Sequence, residues 1–265
     1  MSKKLQVMRY EGDVATIQRR LAQTSDLHRR RLAVLAAAAI QPGERILEVG
    51  CGGGALLPNF AAAVGQTGRV VGVDISSDQI AAANAACSGR ANAKAELQDL
   101  NQLPYEDASF DAIVAIQVIE YLEQPAKALS ELRRVSSPNG RLIVLATNWD
   151  TMFWNCGALE LTLRVEAAWR KHAPYPNLPA ELRSLLATAG FRMVRQSPVT
   201  IINNAYHEDT FAYWAAQLIV TFATGHSLIS PEDAGDWIQA LQDSQAAGTF
   251  FFSSTPVLTT AVAAG

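Results

Sequence analysis

The chain predicts an α/β fold built on a doubly wound, largely parallel sheet, and three observations carry that prediction. Short apolar runs alternate with helical stretches from about residue 45 to 147. The runs are continuous in apolar residues, as in Ile46-Leu47, Val70-Val71 and Ile113-Val114, which is the pattern of strands covered on both faces. A glycine loop, Gly50-Cys51-Gly52-Gly53-Gly54, follows the first run and leads into a helix.

Residues 1–23 are polar and place Tyr10 in a Met-Arg-Tyr-Glu segment. Thr24-Ser25-Asp26 reads as an N-cap for a helix to about Ile40, with Leu27, Val34, Leu35 and Ala38 on one face. Arg29-Arg30-Arg31 reads as its solvated side and His28 as a surface residue. Pro42-Gly43 is a turn. Then follow strand 45–49, helix 55–64, strand 69–73, helix 77–87, strand 93–97, strand 110–116, helix 125–135 and strand 141–147. A further core helix spans 179–189, a sixth strand 191–199, and the β-prone run 249–261 reads as one long seventh strand.

The composition changes after residue 147, since all five tryptophans (149, 154, 169, 214 and 237) lie beyond it. The first insertion is expected to be helical in its middle. In the second, Phe211, Trp214, Leu218 and Phe222 keep helical spacing, and Ser230-Pro231-Glu232-Asp233 opens another helix. The whole chain, 1–265, is expected to form one domain: an N-terminal helical segment 1–40, a cofactor-binding core 41–147, and insertions 148–178 and 203–248 acting as a helical lid over the strand ends.

With 49% hydrophobic residues the chain can bury a sizeable core, and a net charge of −3 argues against a nucleic-acid partner. Cys51, Cys87 and Cys156 form an odd, scattered set without a C-x-x-C, which disfavours a disulfide framework or zinc site and suits a reducing compartment. No apolar stretch reaches the roughly 18 residues of a membrane span, and the first residues lack a secretory apolar core. These readings lead to an expected soluble, cytoplasmic protein with no metal and no membrane insertion. Oligomeric state is not legible.

Two cofactors suit the glycine loop. Gly50, Gly52 and Ala55 satisfy G-x-G-x-x-G/A, and Asp74 closes the next strand at the distance of a ribose-binding acid, as in a nicotinamide-dependent oxidoreductase. Glu48, two residues before the first glycine, decides between them. A carboxylate there would repel a pyrophosphate, whereas an amine-bearing ligand tolerates or favours it.

This E-x-G-x-G-x-G spelling resembles motif I of the class I S-adenosylmethionine-dependent methyltransferases. The resemblance continues through Val70-Val-Gly-Val-Asp74-Ile75-Ser76, Leu97-Gln-Asp99-Leu100, Leu103-Pro104, Ser109-Phe-Asp111, Gln117-Val-Ile-Glu-Tyr121 and Pro138-Asn-Gly140. It covers about residues 40–148, and is closest to the branch holding ubiquinone and menaquinone C-methyltransferases and many natural-product methyltransferases. It implies a Rossmann-like sheet of seven strands, mostly parallel with an antiparallel seventh. It also implies S-adenosylmethionine as cofactor and methyl transfer to a small, largely apolar acceptor at oxygen, nitrogen or carbon.

The same resemblance assigns the cofactor residues. Glu48, Gly50, Cys51, Gly52 and Gly54 form the loop, Asp74 takes the ribose hydroxyls and Ile75 packs on the adenine. Asp99 takes the adenine amino group, Leu100 supplies a backbone N–H, and the backbone at Gln117 receives the methionine ammonium. Tyr10 is a candidate cofactor contact from the N-terminal segment. The family's motif commonly ends in histidine where this chain has Tyr121. Tyr121 and His207 are the candidate bases, and Trp149, Asp150, Trp154 and Tyr206 the candidate acceptor contacts. A bound cofactor used for a non-methylating reaction is the other reading the Tyr121 departure leaves open.

Overall fold

A computed structural model describes Met8 and residues 12–264. The described residues divide into two compact units: a sheet unit of residues 31–146, 178–198 and 257–264, and a helical unit of Met8 and residues 12–30, 147–177 and 199–256.

In the sheet unit the strands β1 (Arg45–Val49), β2 (Arg69–Asp74), β3 (Ala93–Leu97), β4 (Phe110–Ile116) and β5 (Ser136–Thr147) run parallel to one another. They are joined by β7 (Phe191–Pro198) and β10 (Pro256–Ala263), in the order β3-β2-β1-β4-β5-β10-β7. β10 lies inside the sheet between β5 and β7 and runs antiparallel to β7. The expected seven-stranded mixed sheet is therefore present. Helices α3 (Leu57–Val64), α4 (Ser77–Ala86), α5 (Pro125–Val135) and α7 (Leu178–Thr188) cover it, burying Phe60, Ala83, Leu129, Leu132 and Leu182. Consecutive residues of β1 and β4, among them Ile46, Leu47, Ile113 and Val114, are fully buried, so apolar area is removed from water on both faces. At the edge away from the glycine loop, Arg141 donates to both carboxylate oxygens of Glu44 and to the Ala38 carbonyl at the end of α2 (Ser25–Ala38), tying helix, loop and sheet.

The helical unit contains α1 (Gly12–Gln23), α6 (Leu159–Trp169), α8 (Phe211–Gly225) and α9 (Pro231–Ala246), with a three-stranded antiparallel sheet of β6 (Phe153–Asn155), β8 (Ile201–Asn203) and β9 (Phe251–Ser254). Period-two alternation sets its faces: Trp154 and Phe252 pair across strands and are buried, while Phe153 and Ile202 are exposed. Trp154, Trp169, Phe211, Phe222, Trp237 and Phe252 share one apolar core.

Residues 12–23 form helix α1, whose Val14, Ile17 and Leu21 keep a helical stripe that packs on the aromatic core. One expectation needs correction. The β-prone run 249–261 is two strands in two sheets. It breaks around Thr255-Pro256, where Pro256 lacks the N–H to continue a ladder.

Candidate functional site

Because β3, β2, β1 and β4 are parallel neighbours, their carboxyl ends meet at one edge of the sheet. That edge gathers Glu48 and the 50–54 loop after β1, Asp74 and Ile75 at β2, Asp99 and Leu100 after β3, and Gln117 after β4. Crossing points of this kind are where open α/β sheets bind ligands.

The loop is a series of tight turns. Cys51 N donates to Val73 O at 3.0 Å and continues the β1–β2 ladder by one residue, and Gly54 N donates to Cys51 O at 3.0 Å. Helix α3 starts at Leu57, two residues later than expected, because 51–56 is spent in these turns. A side chain at Gly54 would place its Cβ 2.8 Å from the Ala83 backbone, so α4 packs directly on the loop. At Gly52 the nearest atom to such a Cβ is Gln79 Oε1 at 3.9 Å, which leaves that stretch of backbone approachable.

Asp74 is fixed from both sides. Its Oδ2 accepts from Gly52 N at 3.0 Å and its Oδ1 from Ser76 N at 2.9 Å. Each carboxylate oxygen keeps a second lone-pair direction. Ser76 caps α4 through Gln79 N, so helix capping does not fall to Asp74. Ile75 is 79% exposed beside it, an apolar surface next to an acid. Asp99 Oδ1 accepts from Asn101 N and Nδ2, and Leu100 is buried.

Glu48 is 5% exposed, and its Oε2 has no hydrogen-bond partner among the described residues. Burial pushes its carboxyl up to about 8. Cys51 is also buried, and desolvation, with Glu48 and Asp74 adding to it, pushes its thiol up; it is a packing residue against Gly72, not a nucleophile. Gln117 takes a left-handed conformation, φ 51°, with its N–H held by Leu145 O at 2.7 Å. Tyr121 ends the short 3-10 turn Ile119–Tyr121 on the same sheet unit.

The remaining candidates lie in the helical unit, and Tyr10 lies outside the described residues. Trp149 and Trp154 are core residues: Trp149 packs edge-on to Trp169 and His172, and Trp154 contacts Trp237 and Phe252. Tyr206 is buried, and desolvation pushes its phenol up. Asp150 pairs with Arg170 and accepts from Asn177. His207 is exposed, and its Nδ1 accepts from Asp209 N at 3.2 Å, so a neutral ring carries its proton on Nε2. Asp26, read as part of a cap, is instead a buried hub: its Oδ2 accepts from Phe211 N and from Asn203 Nδ2, each at 2.8 Å.

Residues 40–190 match the methyltransferase domain family, more than half of the chain. The chain belongs to that family. Its members of class I take their methyl group from S-adenosylmethionine, in keeping with the motif order along β1 to β4. The chain is 32% identical over 187 residues to an uncharacterised 37.1 kDa protein of transposon TN4556 from Streptomyces fradiae, covering 69% of this chain and 53% of that one. It thus spans about half the length of that relative. It is 28% identical over 181 residues to a demethylmenaquinone methyltransferase of Staphylococcus aureus, covering 62% of this chain and 75% of that one. The fold is similar to that of a candidate methyltransferase from Bacillus halodurans, with TM-score 0.64, 19% identity, and 89% and 99% of the two chains covered.

One residue of this edge, inside the Gln117–Tyr121 motif, is given no role by the sequence. Val118 fills the space above Gly50, where a Cβ would fall 2.2 Å from its Cγ2. Nothing in the local sequence marks it, because the contact joins residues of two different loops.

Among the described residues no helix is long and apolar enough to cross a membrane, and no group of three or more His, Cys, Asp or Glu could hold a metal ion.

Proposed function

We propose that the protein transfers the sulfonium methyl of S-adenosylmethionine to a small, largely apolar acceptor. The observation that carries the reading is the acid pair on adjoining strands: a buried Glu48 with an unpartnered oxygen, and Asp74 held by the loop's own N–H at Gly52. The cofactor, when bound, supplies a methyl group already activated on a cationic sulfur.

The chain's residues then bind and align. Glu48 is a carboxyl whose ionised form lacks a counter-charge, so an arriving ammonium is the partner that restores it to carboxylate. Asp74 is preorganised by two backbone donors and presents its remaining lone pairs to two vicinal hydroxyls. Ile75 offers an exposed apolar side chain to a base, and Asp99, with one oxygen occupied by Asn101, takes an exocyclic amine. Such preorganisation lowers the cost of aligning nucleophile, methyl and sulfur.

For an acceptor that must lose a proton, we assign the base to Tyr121, on the same sheet unit as the cofactor residues; His207 Nε2 carries the proton in the arrangement described above. We assign acceptor recognition to the helical unit, which holds residues 148–177 and 203–248. An apolar acceptor is supported by the Staphylococcus aureus relative, which is named for demethylmenaquinone.

Isothermal titration with S-adenosylmethionine, S-adenosylhomocysteine and NAD tests the cofactor. Binding of the two adenosyl ligands without NAD is expected, and the converse removes the proposal. A labelled-methyl assay over quinol, phenol and amine acceptors tests the transfer.

A further inference from the structure

Two neighbouring loops at the sheet edge are locked together by a contact that the cofactor reading does not use. Gly50 follows β1 with φ 61°, and Gln117 follows β4 with φ 51°. β1 and β4 are adjacent, with Val49 opposite Ala115, so the two residues leave the sheet side by side. Glycine adopts a left-handed backbone freely, but for glutamine it costs about 1–2 kcal/mol. Gln117 is held there by its N–H to Leu145 O at 2.7 Å, a bond to the next strand.

The turn at Gln117 has a geometric consequence. It directs Val118 back over β1, where its Cγ2 would lie 2.2 Å, and its Cβ and Cγ1 each 3.3 Å, from a methyl on Gly50. Val118 O then accepts from Tyr121 N at 3.0 Å, closing the 3-10 turn that carries Tyr121. The absence of a side chain at Gly50 is therefore filled by another residue's side chain, and the loop cannot move toward β4 without displacing it. Movement away would open a void beside Val118.

We propose that Val118 is a positioning residue: the left-handed turn at Gln117 seats it on Gly50, where it sets the place of the 50–54 loop and couples that loop to the turn bearing Tyr121. Its bearing on cofactor affinity rests on the reading of 50–54 as the cofactor loop; the interlock itself does not.

The test uses the full chain with Val118→Ala, Val118→Ile, Gly50→Ala and the double variant Gly50→Ala/Val118→Ala. In Val118→Ala, amide exchange at Gly52 and Gly54 should accelerate about tenfold or more while amides of β1 and β4 keep wild-type rates. S-adenosylhomocysteine should bind about tenfold more weakly. Val118→Ile, which keeps both γ carbons, should stay within about threefold of wild type in affinity. Gly50→Ala should cost more affinity and more thermal stability in the wild-type background than in Val118→Ala, where the 2.2 Å clash is gone. Equal costs in the two backgrounds, or acceleration of exchange spread evenly over β1, β4 and the loop, would overturn the proposal. Wild-type protein that fails to bind the nucleoside would remove the cofactor reading, while loop exchange and the melting cycle still decide the role of Val118.

Discussion

Glu48→Gln should stabilise the free protein while weakening cofactor binding. The carboxyl is pushed from 4.5 up to about 8 by burial, so the folded state keeps its proton over a range where the unfolded chain has lost it. Between these values the native state binds more protons, and stability must fall as pH rises. The contribution is intact below about 4.5 and is lost as pH climbs through about 8. At about 1.4 kcal/mol for each unit, the wild type forfeits roughly 3 kcal/mol by pH 7. Glutamine has no proton to lose and keeps the same shape. Urea unfolding of both proteins from pH 5 to 8 should show the gap between them widening by about 3 kcal/mol. Glu166, also raised by burial, to about 6, contributes equally to both curves and cancels. In the same series, S-adenosylmethionine affinity should rise with pH in wild type and be nearly flat in Glu48→Gln, which should bind about tenfold more weakly near pH 8. Parallel stability curves would refute the argument, since they would mean that the Glu48 proton is not held by burial.

Asp74→Asn should lower cofactor affinity by roughly tenfold or more, because an amide replaces one of the two acceptors and removes the charge; titration calorimetry reads this directly. Tyr121→Phe should leave the cofactor KM within about twofold and lower kcat by about 10²-fold for an acceptor that loses a proton; an unchanged kcat would make Tyr121 a packing aromatic. Trp237→Phe should destabilise the helical unit by about 1–3 kcal/mol, since it removes buried volume and the indole bond to Thr162 Oγ1 at 3.1 Å, and a urea melt followed by tryptophan fluorescence checks it.

How much was legible depended on the range of the interaction. The strands 45–49, 93–97 and 110–116 and the helix 125–135 stand where their patterns place them, because strand and helix periods are local and glycine, proline and capping residues mark the ends. The residues proposed to hold the cofactor lie on one edge for the same reason: parallel strands deliver every carboxyl end to the same side. The candidate acceptor contacts were harder to read. Trp149, Trp154 and Tyr206 are aromatic in sequence whether they line a site or fill a core, and here they pack in the core of the helical unit.

From its sequence alone this protein was bound to an alternating α/β core, a glycine bend after the first strand, and acids at the ends of the next two, because each follows from local chain chemistry. Only the tertiary structure decided that the run 249–261 serves two sheets, that Asp26 caps α8 from far away in the chain, and that Val118 occupies the place left by Gly50. Those outcomes depend on which side chains meet across elements distant in sequence, and packing of that kind leaves no periodic trace along the chain.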